Sequence, residues 1–236
     1  MNTRYFLSGC VAALTAGTLL AATRVTTPVR ITQTVDGQFP ASLAFSPITS
    51  GEVRLIANID ADGRLADVMI TGYTHEAFEQ EALHLLREWR YAPARVNGEA
   101  VGVRTELKMQ FVSTGRVVSL NAFDSTAVLT GRNLSTPFVN RLCAPGDLDR
   151  PLEAIRVASP LHPAPGTSPD TGATLVDFYV DEAGRIRMPV IVETTNQAYA
   201  EAAVSALDQW RFSPPTRRGE PVAVRVRQQF IFSKPS

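Results

Sequence analysis

The sequence predicts an α+β protein of two tandem small domains. Each is a β-hairpin, one amphipathic helix and a long last strand, giving an antiparallel three-stranded sheet with the helix on one face. Three observations carry this. A segment is written twice; each copy switches from an apolar period of two to a helical period; and glycines and prolines fall where the period changes.

The repeat comes first. Gly51 to Phe111 aligns on Gly172 to Phe232 without a gap, and eighteen of the aligned positions are identical. The identities cluster in motifs, which duplication explains better than chance. Gly51 and Gly172 open the copies; Asp60, Gly63 and Arg64 match Asp181, Gly184 and Arg185; Trp89, Arg90, Pro93 and Gly98 match Trp210, Arg211, Pro214 and Gly219; Phe111 and Phe232 close them.

The elements follow in order. In VRLIANID (53–60), Val53, Leu55, Ala57 and Ile59 alternate with other residues, and in LVDFYVD (175–181) Val176, Phe178 and Val180 do the same. Each is a half-buried strand. DADGR (60–64) and DEAGR (181–185) are turns, with Gly63 and Gly184 available for positive φ. ADVMIT (66–71) and MPVIVE (188–193) complete the hairpins. Phe78, Ala82, Leu85 and Trp89 then recur at helical spacing, as do Tyr199, Ala203, Ala206 and Trp210. Thr74 and Thr195 stand where an N-cap is wanted, and Pro93 and Pro214 stop the helix. Turns at Gly98 and Gly219 lead into the last strands, AVGVRTELKMQF and PVAVRVRQQFIF. The two tryptophans anchor the helix ends in the cores, each indole N–H finding a local partner.

The domains are expected at 26–113 and 151–236, each with an equivalent lead-in before its repeat. Residues 114–150 form a linker, where RVVSLNAF (116–123) and TAVLT (126–130) could add strands to the first domain. SPLHPAPGTSPDTG (159–172) is proline-rich loop or extended chain.

At 236 residues and 44% apolar, the chain is long enough for two cores. Basic and acidic residues balance at 23 each, so no overall field attracts nucleic acid or an anionic membrane. Residues 1–23 are expected to be a signal peptide or an N-terminal membrane anchor, because Arg4 precedes an uncharged, mostly apolar run at 5–22. Leu7-Ser8-Gly9-Cys10 also has the form of a lipidation box, although the apolar run continues well past Cys10. With residues 1–23 removed, Cys143 is the sole cysteine, so no internal disulfide forms. Either way, exported or held by 5–22, the rest of the chain is expected to lie outside the cytoplasm.

No reaction chemistry emerges. His75, His84 and His162 are dispersed, and neither His75 nor His84 has a histidine in the sister copy. There is no metal-ligand spacing, nucleophile elbow or phosphate loop. Asp60, Asp62, Asp181 and Glu182 are turn carboxylates, and Arg64, Arg90, Arg185 and Arg211 are retained arginines expected to form ion pairs, stay solvated or touch a partner. A non-enzyme without catalytic, metal or cofactor-binding residues is expected.

With GEVRLIANIDADGRLADV (51–68) followed by FEQEALHLLREWRYAP (78–93), and the same set in the second copy, the chain resembles the C-terminal domain family of TonB. The resemblance implies a periplasmic protein-binding module that takes up extended peptides or envelope partners by strand addition. Outer-membrane transporters are the first candidate partners and peptidoglycan a further one. A membrane-anchored component of energy-dependent outer-membrane transport is the alternative. By analogy the last strands would offer the binding edge, through Val101, Val103 and Thr105 in the first copy and Val222, Val224 and Val226 in the second. The sequence leaves the oligomeric state open.

Overall fold

The computed structural model describes residues 27–113, 117–121, 137–164, 166 and 168–233. The expected signal or anchor at 1–23 and the strand expected at 126–130 lie outside the described residues.

The first unit contains β1 (Arg30–Gln33), β2 (Ser50–Ile59), β3 (Leu65–Tyr73), α1 (Glu76–Glu88), β4 (Arg90–Ala92) and β5 (Val103–Val112). Three short strands follow, β6 (Val117–Asn121), β7 (Val139–Asn140) and β8 (Leu142–Cys143). The second unit contains β9 (Ala154–Arg156), β10 (Gly172–Val180), β11 (Ile186–Thr194), α2 (Gln197–Leu207), β12 (Arg211–Phe212) and β13 (Ala223–Phe232). The lead-ins are equivalent as expected: β1 pairs antiparallel with β4, and β9 with β12.

Each unit has the hairpin, helix and long strand, but the sheets exceed three strands. The first runs β6-β5-β2-β3-β7 and the second β8-β13-β10-β11. The extra strands come from the segment between the repeats. Its end stitches the units together, because β7 adds antiparallel to β3 at Gly72 and Tyr73, and β8 adds parallel to β13 at Ala223 and Val224.

The helices cover one face of each sheet. Phe78, Ala82, Leu85 and Trp89 meet Val53, Leu55, Ala57 and Ile59 in one core, and Tyr199, Ala203 and Trp210 meet Val176, Phe178 and Val180 in the other. This packing explains the opening glycines. A Cβ on Gly51 would lie 2.1 Å from the Phe78 ring, and one on Gly172 would lie 2.3 Å from the Tyr199 ring.

The helix starts differ from expectation. The N-caps are His75, whose Nδ1 accepts from the Ala77 N–H at 3.1 Å, and Asn196, whose Oδ1 accepts from Ala198 at 2.9 Å. Thr74 and Thr195 instead accept the N–H of Glu52 and Ala173 through their hydroxyls, tying the helix entrance to the start of the first strand. His75 and Asn196 therefore share one role despite differing in type. The helices also end before their prolines, α1 at Glu88 and α2 at Leu207, and a short strand intervenes.

The helix-free faces of the two sheets pack against each other. Ile56 and Met69 of the first unit form a third cluster with Tyr179, Met188 and Ala223 of the second, and Leu142 packs against it. The result is four layers: helix, sheet, sheet, helix.

Candidate peptide-binding edge

Strand addition needs a row of unpaired backbone groups at a sheet edge. Among the described residues β6 is the outermost strand of the first sheet and has a partner on one side only, whereas the edges of β5, β3 and β11 are covered in part or blunted. The outer side of β5 is taken by β6 from Leu107 to Phe111. That leaves Val103 and Thr105 on β5 beyond its reach, while Val101 lies in a separate short hairpin strand, Glu99–Val101, paired with Ala94–Val96. On β3, β7 covers Gly72 and Tyr73, the Thr71 carbonyl accepts from the Arg141 N–H at 2.8 Å, and the Val68 carbonyl accepts from Arg187 Nη2 at 3.1 Å. On β11, Met188 has φ 50° and is followed by Pro189, a bulge and a missing donor that both discourage pairing.

The outer side of β13 differs. β8 covers it at Ala223 and Val224, where the Ala223 N–H donates to the Arg141 carbonyl at 2.7 Å. Pairing of β13 with β10 then runs without a bulge from Val224 to Phe232. Backbone groups alternate in direction along a strand, so Arg225, Arg227, Gln229 and Ile231 turn their N–H and C=O the way Ala223 does. No described strand receives them.

The expected residues fall on either side of this edge. Val222, Val224 and Val226 are buried beneath α2 in the second core. Their side chains hold β13 in place, and the alternate residues face outward. Arg227 is 56% exposed and Ile231 76%.

The helix-free face beside the edge is charged. Asp177 on β10, only 2% exposed, sits among three guanidiniums. Arg225 reaches its Oδ2 at 2.9 Å, Arg227 at 3.3 Å, and Arg104, from β5 of the first unit, reaches Oδ1 at 2.8 Å. Arg104 also donates to the Met188 carbonyl at 2.9 Å and lies over the Tyr179 ring. Burial pushes the Asp177 carboxyl up, but hydrogen bonds from Arg225 and Arg104 and their charges more than reverse it, leaving it below its ordinary value. Two further links bridge the units: Arg187 pairs with Asp67, and Arg141 joins the Tyr73 hydroxyl at 2.8 Å to Glu182 at 2.7 Å.

Neither Arg104 nor Asp177 stands out in the sequence as a site residue. The available signal was the retention of Arg104 and Arg225 at one repeat position. Asp177 had no such signal, because its counterpart in the first copy is Ile56.

The structural motif residues are assembled locally. Gly63 and Gly184 both have φ 76°. A Cβ there would lie 2.4 Å from the Tyr91 carbonyl oxygen or 2.0 Å from that of Phe212. The strand after each tryptophan therefore closes over the glycine turn, which is why the two motifs occur together. Asp60 and Asp181 brace these turns by accepting from the Arg64 and Arg185 N–H groups at 2.8 and 2.9 Å. Arg211 donates to the Asp208 and Trp210 carbonyls, and Arg90 is exposed. Pro93 and Pro214 follow the short strands. The Trp210 indole donates to the Ala158 carbonyl at 2.8 Å, whereas the buried Trp89 indole N–H has no protein acceptor among the described residues.

Among the described residues no group of His, Cys, Asp and Glu is arranged to hold a metal ion, and no helix is long and apolar enough to cross a membrane. Cys143 is free and buried, and burial raises its thiol pKa. A family model described as Gram-negative bacterial TonB protein C-terminal matches residues 47–112 and again 170–233, together more than half of the chain. No curated protein matches the chain.

Proposed function

The chain belongs to the TonB C-terminal family, in two tandem copies, and from that premise we propose that it is a non-enzymatic periplasmic module that captures extended peptides of envelope partners by strand addition to β13. The family's domains interact with envelope proteins such as outer-membrane transporters, which makes the exposed segments of such transporters the first partners to test. In this reading the second domain, 151–236, carries the edge. The first domain, 26–113, braces it through the packed sheet faces, and 114–150 joins them.

The observation that supports the reading is the contrast between edges. From 225 to 231 the outward backbone groups of β13 meet no described strand, and the Gln229 carbonyl accepts only from the adjacent Gln228 side chain at 2.7 Å, while β5 is covered by β6 from Leu107 to Phe111 and β3 by β7, Arg141 and Arg187. A peptide would gain main-chain hydrogen bonds without disturbing the core valines.

A residue-resolved NMR titration with extended transporter peptides tests it. Amide shifts concentrated at 225–231 are expected. Gln229→Pro removes one outward N–H without touching the ladder to β10, so it should abolish binding and leave far-UV circular dichroism intact. Shifts confined to 103–112 or 65–70, or binding unchanged in Gln229→Pro, would overturn the assignment to β13.

A further inference from the structure

We propose that the β13 edge selects peptides carrying an acidic side chain and, four residues away, an apolar one, and that Arg104 of the first unit sets the acidic preference. This rests on the strand-addition reading and goes beyond it by naming the ligand's chemistry and giving the first unit a part in selectivity.

A strand laid beside β13 places alternate side chains opposite Arg225, Arg227, Gln229 and Ile231 on the helix-free face, at cross-strand spacing of about 5 Å. Both polarities of the added strand preserve the spacing between the partners of Arg227 and Ile231. Ile231 offers an exposed apolar surface at one end. The other end is basic. Arg104, Arg225 and Arg227 surround Asp177, and the other carboxylate acting on this group is Glu106, which faces Arg225. Three cations against two anions leave a surplus positive charge.

Arg227 is the member placed to use it. It holds Asp177 by one contact at 3.3 Å and is 56% exposed, whereas Arg225 contacts both carboxylate oxygens at 3.0 Å through Nε. Arg104, 13% exposed, keeps Oδ1 bonded from the opposite sheet. Asp177 therefore stays paired when Arg227 turns to a ligand carboxylate. Without Arg104, the buried carboxylate would draw Arg227 inward, because a buried charge needs its partners more than an exposed one does.

Fluorescence anisotropy on the purified chain tests this. The probes are labelled peptides of alternating valine and threonine, with aspartate and valine four apart, and twins carrying asparagine or lysine in place of the aspartate. An exposed ion pair corresponds to about fivefold in affinity, so the aspartate probe should bind about fivefold tighter than the asparagine twin, and the lysine twin weakest. In Arg227→Gln the ratio of aspartate to asparagine probe affinity should shrink to within about twofold. Arg104→Gln should shrink it likewise, with near-UV circular dichroism confirming native packing. Equal binding of aspartate and asparagine probes, with amide shifts still at 225–231, overturns the selectivity and leaves strand addition standing. No binding of any probe overturns both.

Discussion

Arg104 and Arg225 occupy the same position in the two repeats, yet both close on a single carboxylate, that of Asp177, at 2.8 and 2.9 Å. The repeat thus carries two equivalent arginines, and only the second copy has the acid between them, Asp177 standing where the first has Ile56. Removing Arg104 should cost about 1.5–3 kcal/mol, the range for a hydrogen bond to a charged group. Asp177→Asn should cost more, about 3–5 kcal/mol, because it strands several cations at once. Urea unfolding of Arg104→Gln and Asp177→Asn measures both, and a smaller loss in the aspartate variant would contradict the arrangement.

The same carboxyl predicts a pH response. Its folded pKa lies below the ordinary 3.8. A group depressed on folding contributes stability that is full well above the unfolded value and is lost as pH falls through the folded one. Stability should therefore decline from about pH 5 downward, and Asp177→Asn should flatten part of that decline. Unfolding midpoints between neutral pH and pH 3 provide the check.

Two glycines separate conformational from steric cost. Gly184 and Gly219 have φ of 76° and 79°, so alanine at either loses about 1–2 kcal/mol through the left-handed backbone. At Gly219 a Cβ would meet nothing within 4 Å, whereas at Gly184 it would lie 2.0 Å from the Phe212 oxygen. Gly184→Ala should lose about 1–3 kcal/mol more than Gly219→Ala. Equal thermal shifts would mean that the strand after Trp210 does not press on the turn.

The tryptophans should also differ. Trp210→Phe breaks a bond to the Ala158 carbonyl, while Trp89→Phe removes an indole N–H that has no protein acceptor. Similar packing is lost at both, so the second-unit variant should be destabilised by about 1 kcal/mol more in chemical denaturation. Equal losses would show that an acceptor, such as a buried water, serves Trp89.

The sequence by itself determined each unit. Alternation at Val53, Leu55, Ala57 and Ile59, the helical spacing from Phe78 to Trp89, and the glycines at 63 and 184 are local signals repeated twice, and local periodicity sets which face each element buries. The family was legible for the same reason, whereas Val222, Val224 and Val226, expected at the binding edge, pack in the second core. Helix capping was legible only to within one residue, because threonine, histidine and asparagine all supply acceptors and the competing hydrogen bond to Glu52 or Ala173 lies in a distant strand. Tertiary structure alone decided the rest. Pairing of β7 and β8 with edges, burial of Ile56 and Met69 against Tyr179 and Met188, and convergence of Arg104 and Arg225 on Asp177 join residues far apart in the chain. No periodicity encodes such contacts. They arise because a sheet with one helix-covered face must bury its other face somewhere, and here the partner is its own duplicate. That packing, together with the strands from between the repeats, left the outer side of β13 beyond Val224 without a described partner strand.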